Sequence, residues 1–194
     1  MNSDKFIEFW NRVYYAAYSI HYFISCYILD PIIMNVIVHP LYSFMNLFPA
    51  MKRRNERKGI TPETIKKTTE EVYDNPSSGH LMYFVNGFFS LVQALPILLC
   101  ISILEYYMGG SIRDWWFSNL ALIIIVIWGL GLLLQYFFAW KNDRYLTYFA
   151  KFGKESRKKR VLWSIGLLIV FIVLLLATVY IFIEAEKRHG FWKN

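Results

Sequence analysis

A chain of 194 residues that is 56% hydrophobic and 19% aromatic but only 18% charged does not read as a soluble domain. Soluble domains carry about 25% charged residues. The apolar excess sits in long blocks, and no polar stretch between them exceeds about 30 residues, too few for an independent catalytic core. The formal net charge of +7 brings nucleic acid to mind, yet 15 of the 21 Lys and Arg lie in 52–67 and 141–160, beside apolar runs. Cations there orient membrane segments and meet anionic lipid headgroups, so lipid is the expected partner and nucleic acid is not.

The first segment, 1–51, is a membrane-associated, broken helical region. It lacks the basic start and small-residue cleavage site of a secretory signal. Ser3 is placed to cap the first helix, with Asp4 in its first turn. At helical spacing Trp10, Tyr14, Tyr18, His21, Tyr22 and Ser25 share a face, rings that suit a boundary between oil and water. Asp30-Pro31 predicts a break, because proline disfavours helical geometry in the residue before it. The stretch after it, IIMNVIVHPLYSFMNLFPAM, is interrupted again by Pro40 and Pro49. The sequence allows one long broken span, two short spans or an interfacial hairpin.

Residues 52–82 form a basic loop carrying a short amphipathic helix. Thr61-Pro62-Glu63-Thr64 is a helix start, with Thr as the cap, Pro at the first helical position and an acid in the first turn. Ile65, Val72 and Tyr73 share a face, Asp74-Asn75-Pro76 stops the helix, and Ser77 to His80 is a linker.

Residues 83–140 read as a transmembrane hairpin. The runs YFVNGFFSLVQALPILLCISILEYY and WWFSNLALIIIVIWGLGLLLQYFFAW each have about 25 residues, or roughly 37 Å of helix, enough for a hydrocarbon core of about 30 Å. A polar turn, 109–114, joins them. Pro96 removes an amide from the first helix and predicts a kink. Asn86, Ser90, Gln93 and Ala94 suit close helix packing with amides bonding across the interface. Asn86 and Gln135 lie at similar depths and are expected to face each other. Cys26 and Cys100 fall in apolar runs and read as small packing residues.

The basic segment 141–160 mixes Tyr and Phe with Lys and Arg. Tyr145, Leu146, Phe149 and Phe152 keep helical spacing, which predicts that the second hairpin helix continues to Gly153, a natural stop. Stacking on RNA fits the composition less well than a juxtamembrane helix with cations over anionic lipid. The last segment, 161–194, holds the cleanest span, VLWSIGLLIVFIVLLLATVYIFI, and a short tail. The fold class is therefore all-α, a polytopic transmembrane helical bundle of about four spans with five as runner-up. The basic loops belong on the cytoplasmic or matrix side of a bacterial plasma membrane or organellar inner membrane, and the C-terminus opposite.

Candidate site residues are few. Asp30 and Glu105 are the acids inside membrane segments, a default pointer to ion or substrate paths. Arg113 is placed to pair with Glu105, and Asp114 to cap the next helix. Asn86, Gln93 and Gln135 complete the polar candidates. Of His21, His39, His80 and His189, no two stand at the spacing that puts metal ligands on one helical face. A bis-histidine haem needs His21 and His39 on facing helices, and no cofactor is expected. Gly129-Leu130-Gly131 lies mid-span, so it is a helix-approach site rather than a phosphate loop. Candidate headgroup contacts are Arg53, Arg54, Lys141, Arg144, Arg157, Lys158, Lys159 and Arg160. No nucleophile–base pair, zinc-protease helix or paired carboxylates appear. The expected role is a non-enzymatic subunit of a membrane complex. The alternatives are a small oligomeric channel or transporter, and a membrane-embedded lipid or haem enzyme.

Overall fold

A computed structural model describes residues 3–73, 75–77, 81–109, 114–116 and 118–189. The capping side chain of Ser3, the stop at Asp74, the linker residues 78–80, the Arg113 partner of Glu105 and the tail 190–194 lie outside the described residues. The fold is all-helical, and among the described residues four stretches are long and apolar enough to cross a membrane: Asp4–Met45, Leu81–Met108, Leu120–Gly153 and Arg157–His189. That is the signature of an integral membrane protein.

The chain divides into two compact units, Met1–Ala17 with Asn86–Asn194, and Tyr18–Val85. The first helix belongs in part to each. It comprises α1 (Ser3–Ile24), α2 (Asp30–Ile33) and α3 (His39–Met45), joined by π-helical segments Ser25–Leu29 and Met34–Val38. The break expected at Asp30-Pro31 does not occur, and the helix runs unbroken to Met45. Each π segment immediately precedes a residue followed by proline. There the Asp30 and His39 amides bond to Ser25 and Met34, one residue further back than in an α-helix. Widening the turn in this way is how a helix carries a residue that would otherwise disrupt its ladder.

In the second unit, Asn46 ends the long helix and a turn leads to α4 (Pro49–Lys58). Asn55 of α4 donates to Asn46 Oδ1 at 3.0 Å. Gly59, at φ 61°, takes the left-handed conformation that closes α4 and starts the turn to α5 (Pro62–Tyr73). The expected capping of α5 is present: Thr61 Oγ1 accepts from the Thr64 amide at 3.2 Å, and Thr64 Oγ1 from the Thr61 amide at 2.7 Å. A hydrogen bond from its own backbone amide, then one from Thr61, holds the Glu63 carboxyl below its usual range. α5 packs on the Met34–Val38 segment.

The first unit is built on α6 (Leu81–Met108) and α7 (Leu120–Gln135), the latter extended by a π-helical turn to Trp140. α6 continues through Pro96. Residues 114–116 and 118 are helical, and α7 follows Asn119, whose side chain bonds the Trp115 carbonyl at 2.7 Å and whose backbone leaves helical geometry. Asp114 stands in that helical stretch before Asn119. After Trp140 the expected continuation to Gly153 fails. Asn142 and Asp143 adopt positive φ, 58° and 50°, and a new helix, α8 (Arg144–Gly153), starts in another direction. Asn and Asp are the non-glycine residues that visit this conformation most readily. Asn142→Gly is expected to raise stability by up to about 1 kcal/mol by relieving residual strain. Thermal unfolding in detergent would read this, and a lower midpoint would refute it.

α9 (Arg157–His189) completes the unit. Its register against α6 is constant. Phe88 meets Phe171 at 5.1 Å, and His189 Nε2 lies 3.1 Å from the Tyr106 carbonyl, the same sequence offset. α6 and α9 therefore run parallel. α7 runs antiparallel to α6, with Gln135 at Ser90 and Gly131 at Gln93.

Candidate functional site

Residues 6–15 of α1 pack against the end of the bundle where α6 starts and α7 stops. Trp10 meets Phe89 and Phe138, while Tyr14 meets Asn86 and Trp140, each nearer that end. α1 therefore packs on the end of the bundle that carries 141–160. Its polar side chains form two adjoining clusters there.

The first is buried. The Tyr14 hydroxyl, fully buried, donates to Asn86 Oδ1 and accepts from Trp140 Nε1 at 3.2 Å. Asn11, also fully buried, donates through Nδ2 to the carbonyls of Ile7 and Phe138, both at 2.8 Å. Arg144 donates to the Phe137 carbonyl at 3.2 Å. A helix end leaves its last carbonyls without intrahelical donors. Here α1 and α8 supply them. Gln135 Nε2 donates to Ser90 Oγ at 2.8 Å in the hairpin interface.

Gln135 and Asn86 thus do not pair as expected. Gln135 takes Ser90, one turn further along α6, because α1 inserts Tyr14 at Asn86. Gln93 lies against Gly131, whose missing side chain leaves room for its amide, as expected for a helix-approach glycine; Gly129 faces open space. Both amide atoms of Gln93 are buried without a hydrogen-bond partner among the described residues. Gln93→Leu is therefore expected to stabilise the protein by about 1–3 kcal/mol, the cost of burying such a group unbonded. A lower unfolding midpoint in detergent would contradict this.

The second cluster is charged. Arg12 binds Glu155 in a bidentate fork, with Nη1 to Oε2 at 2.8 Å and Nη2 to Oε1 at 2.9 Å. Its guanidinium lies 4.2 Å from the Phe152 ring centroid and 5.3 Å from that of Trp163. Lys159 bonds Glu155 Oε1 at 2.8 Å, and Lys151 bonds Glu8 Oε1 at 2.9 Å. Hydrogen bonds from Arg12, then Lys159, hold the Glu155 carboxyl at about 2, against an ordinary value of 4.5. Sequence reasoning missed this network. The available signals were an arginine within an aromatic apolar run and the Glu8–Arg12 helical spacing.

The remaining candidates are scattered. Glu105 is buried, 2% exposed, near the far end of α6. Asp30 is half-buried and lies within electrostatic reach of Lys66 and Glu70 of α5. His21 and His39 stand on one unbroken helix, about 27 Å apart along its axis at the α-helical rise. They are not on facing helices, so the bis-histidine haem arrangement is overturned. Among the described residues no three of His, Cys, Asp and Glu converge on a metal site. Of the headgroup candidates, Arg53, Arg54, Lys141, Arg157 and Lys158 are exposed. Arg144 and Lys159 bond within the protein, and the Nε atom of Arg160 is buried.

The geometry defines a helical bundle of membrane-spanning class whose polar side chains join helices at one end. Compared with known proteins, the chain matches no family model, no curated sequence and no solved structure.

Proposed function

We propose that the protein is a non-enzymatic integral membrane subunit that packs against larger partners in a membrane complex. One observation carries this reading. The buried side chains Asn11, Tyr14, Ser90 and Gln135 and the half-buried Asn86 and Trp140 all bond to another helix of the bundle, so the polar chemistry holds a scaffold together. Helix-to-helix amide and hydroxyl bonds are the usual adhesive of membrane bundles. The outward surfaces of α7 and α9, by contrast, are broad and apolar, with Trp128 and Tyr180 at least half exposed. They offer area to protein neighbours and lipid.

The orientation proposed with it places 141–160 on the cytoplasmic or matrix side of a plasma or organellar inner membrane. The exposed Lys141, Arg157 and Lys158 meet anionic headgroups there. α9 leaves from that end and finishes beside Gly109, where His189 Nδ1 lies close to the glycine, so the C-terminus falls on the opposite side. Purification from native membranes in a mild detergent tests the subunit reading. Co-purification of stoichiometric membrane proteins is expected. Recovery solely as a free monomer, with crosslinking before extraction giving no heteromeric adduct, would defeat it.

A further inference from the structure

We infer that Tyr18–Met45 does not cross the bilayer but lies in the interface of its anionic, basic-loop face, with α4 as a phospholipid-phosphate site, so that the chain crosses three times. This does not depend on the subunit reading. Three independent observations converge on it.

The first is where the helix begins. α1 packs, through Tyr14 and Tyr15, on the end of the bundle formed by Trp140, Phe149 and Phe152. Arg12 is held there by Glu155. The chain beyond Ala17 therefore sets out from the basic end.

The second is continuity and where the helix stops. From Asp4 to Met45 it is unbroken, which excludes two short spans, since these need a turn between them. The stretch beyond Ala17 makes about 42 Å of helix, enough for a single crossing, so charge has to decide. The whole helix is also the least apolar of the four candidates, with a mean hydropathy of 1.5 against 2.2 to 3.0 for the others. Directly after it, α4 carries Lys52, Arg53, Arg54, Arg57 and Lys58, all exposed. A single crossing would place these five cations on the opposite side from the eight in 141–160, against the rule that basic loops share a side.

The third is what already covers one face. Ser25, Asp30, Met34, Val38 and Tyr42 form the less exposed stripe of the helix. α5 packs on the Met34–Val38 segment, with Lys66 and Glu70 within electrostatic reach of Asp30, and His39 within reach of Glu63. A helix bearing Lys66, Lys67, Glu70 and Glu71, all exposed, cannot sit in hydrocarbon. The depth it occupies must be wet. Elsewhere on the long helix Phe23, Tyr27, Ile32, Val36, Leu41 and Phe44 are more than half exposed. One wet face and one apolar face describe a helix in the plane of the interface. Charge selects its occupant, because α4 presents Arg53, Arg54, Arg57 and Lys58 on its exposed surface, suited to phosphate headgroups.

The test uses the full chain in sealed vesicles containing phosphatidylglycerol, with Cys26→Ser and Cys100→Ser as background. A membrane-impermeant maleimide is expected to label Arg57→Cys and Lys154→Cys from the same face. Labelling from opposite faces overturns the inference. Spin labels at positions 23, 27, 32 and 36 are expected to report a shallow, nearly constant depth, while labels along 165–180 pass through a deep maximum. A deep maximum within 23–36 overturns it. In vesicles of phosphatidylcholine alone, or in the triple variant Arg53→Gln, Arg54→Gln, Arg57→Gln, the label at 36 is expected to become more water-accessible. If neither change moves it, the phosphate site is refuted, while the labelling and depth results stand on their own.

Discussion

Tyr14→Ala is expected to lower stability by roughly 3–5 kcal/mol, the range for removing a large buried aromatic side chain. No part of the Tyr14 side chain is exposed, and its ring touches Phe89, Tyr145 and Phe149. Alanine leaves a cavity where α1, α6 and α8 meet and also removes the hydroxyl that joins Asn86 to Trp140. Tyr14→Phe separates the two effects. It keeps the ring and deprives Asn86 Oδ1 and Trp140 Nε1 of a partner, a loss of about 1–3 kcal/mol. Unfolding titrations in mixed micelles would measure both. Equal losses in the two variants would mean the hydroxyl bonds dominate. No loss in either would show that α1 is not held at this end of the bundle.

Arg12→Met is the second large effect, up to about 2 kcal/mol, because it removes the fork from the Glu155 carboxylate, 17% exposed, and leaves it with Lys159. The pairing also predicts a pH dependence. Glu155 has a folded value of about 2, below its ordinary 4.5. Its contribution is therefore complete above pH 4.5 and is lost as pH falls from there towards 2. Allowing for solvent screening, that contribution is about 2 kcal/mol. Glu155→Gln should flatten this part of the pH–stability curve, and an unchanged acid slope would refute the assignment. In a double-mutant cycle, Arg12→Met and Glu155→Gln together should cost less than the sum of the single changes. Strict additivity would mean the two side chains do not act as a pair.

The class of protein was legible from the chain because hydrocarbon is an unforgiving solvent. A run such as 161–183 admits few structures other than a helix, and basic flanks mark its ends. The capping of α5 by Thr61 and Thr64 was equally legible, since a cap depends on residues within one turn. Where local preferences competed, the reading failed. Proline at 31 was expected to break a helix that instead widened into π turns, and Asn142-Asp143 kinked the chain where aromatic spacing promised continuity.

Partner choice was decided only by the tertiary structure. Hydropathy placed Asn86 and Gln135 at matching depths, but depth along two helices says nothing of a third that arrives between them. Tyr14 took Asn86, and Gln135 turned to Ser90. The Arg12–Glu155 fork joins residues far apart in sequence, and no local pattern encodes such a meeting. Solvent preference is a property of each segment, and the sequence carries it. Which side chains satisfy one another is a property of packed surfaces, and it exists only once the helices have met.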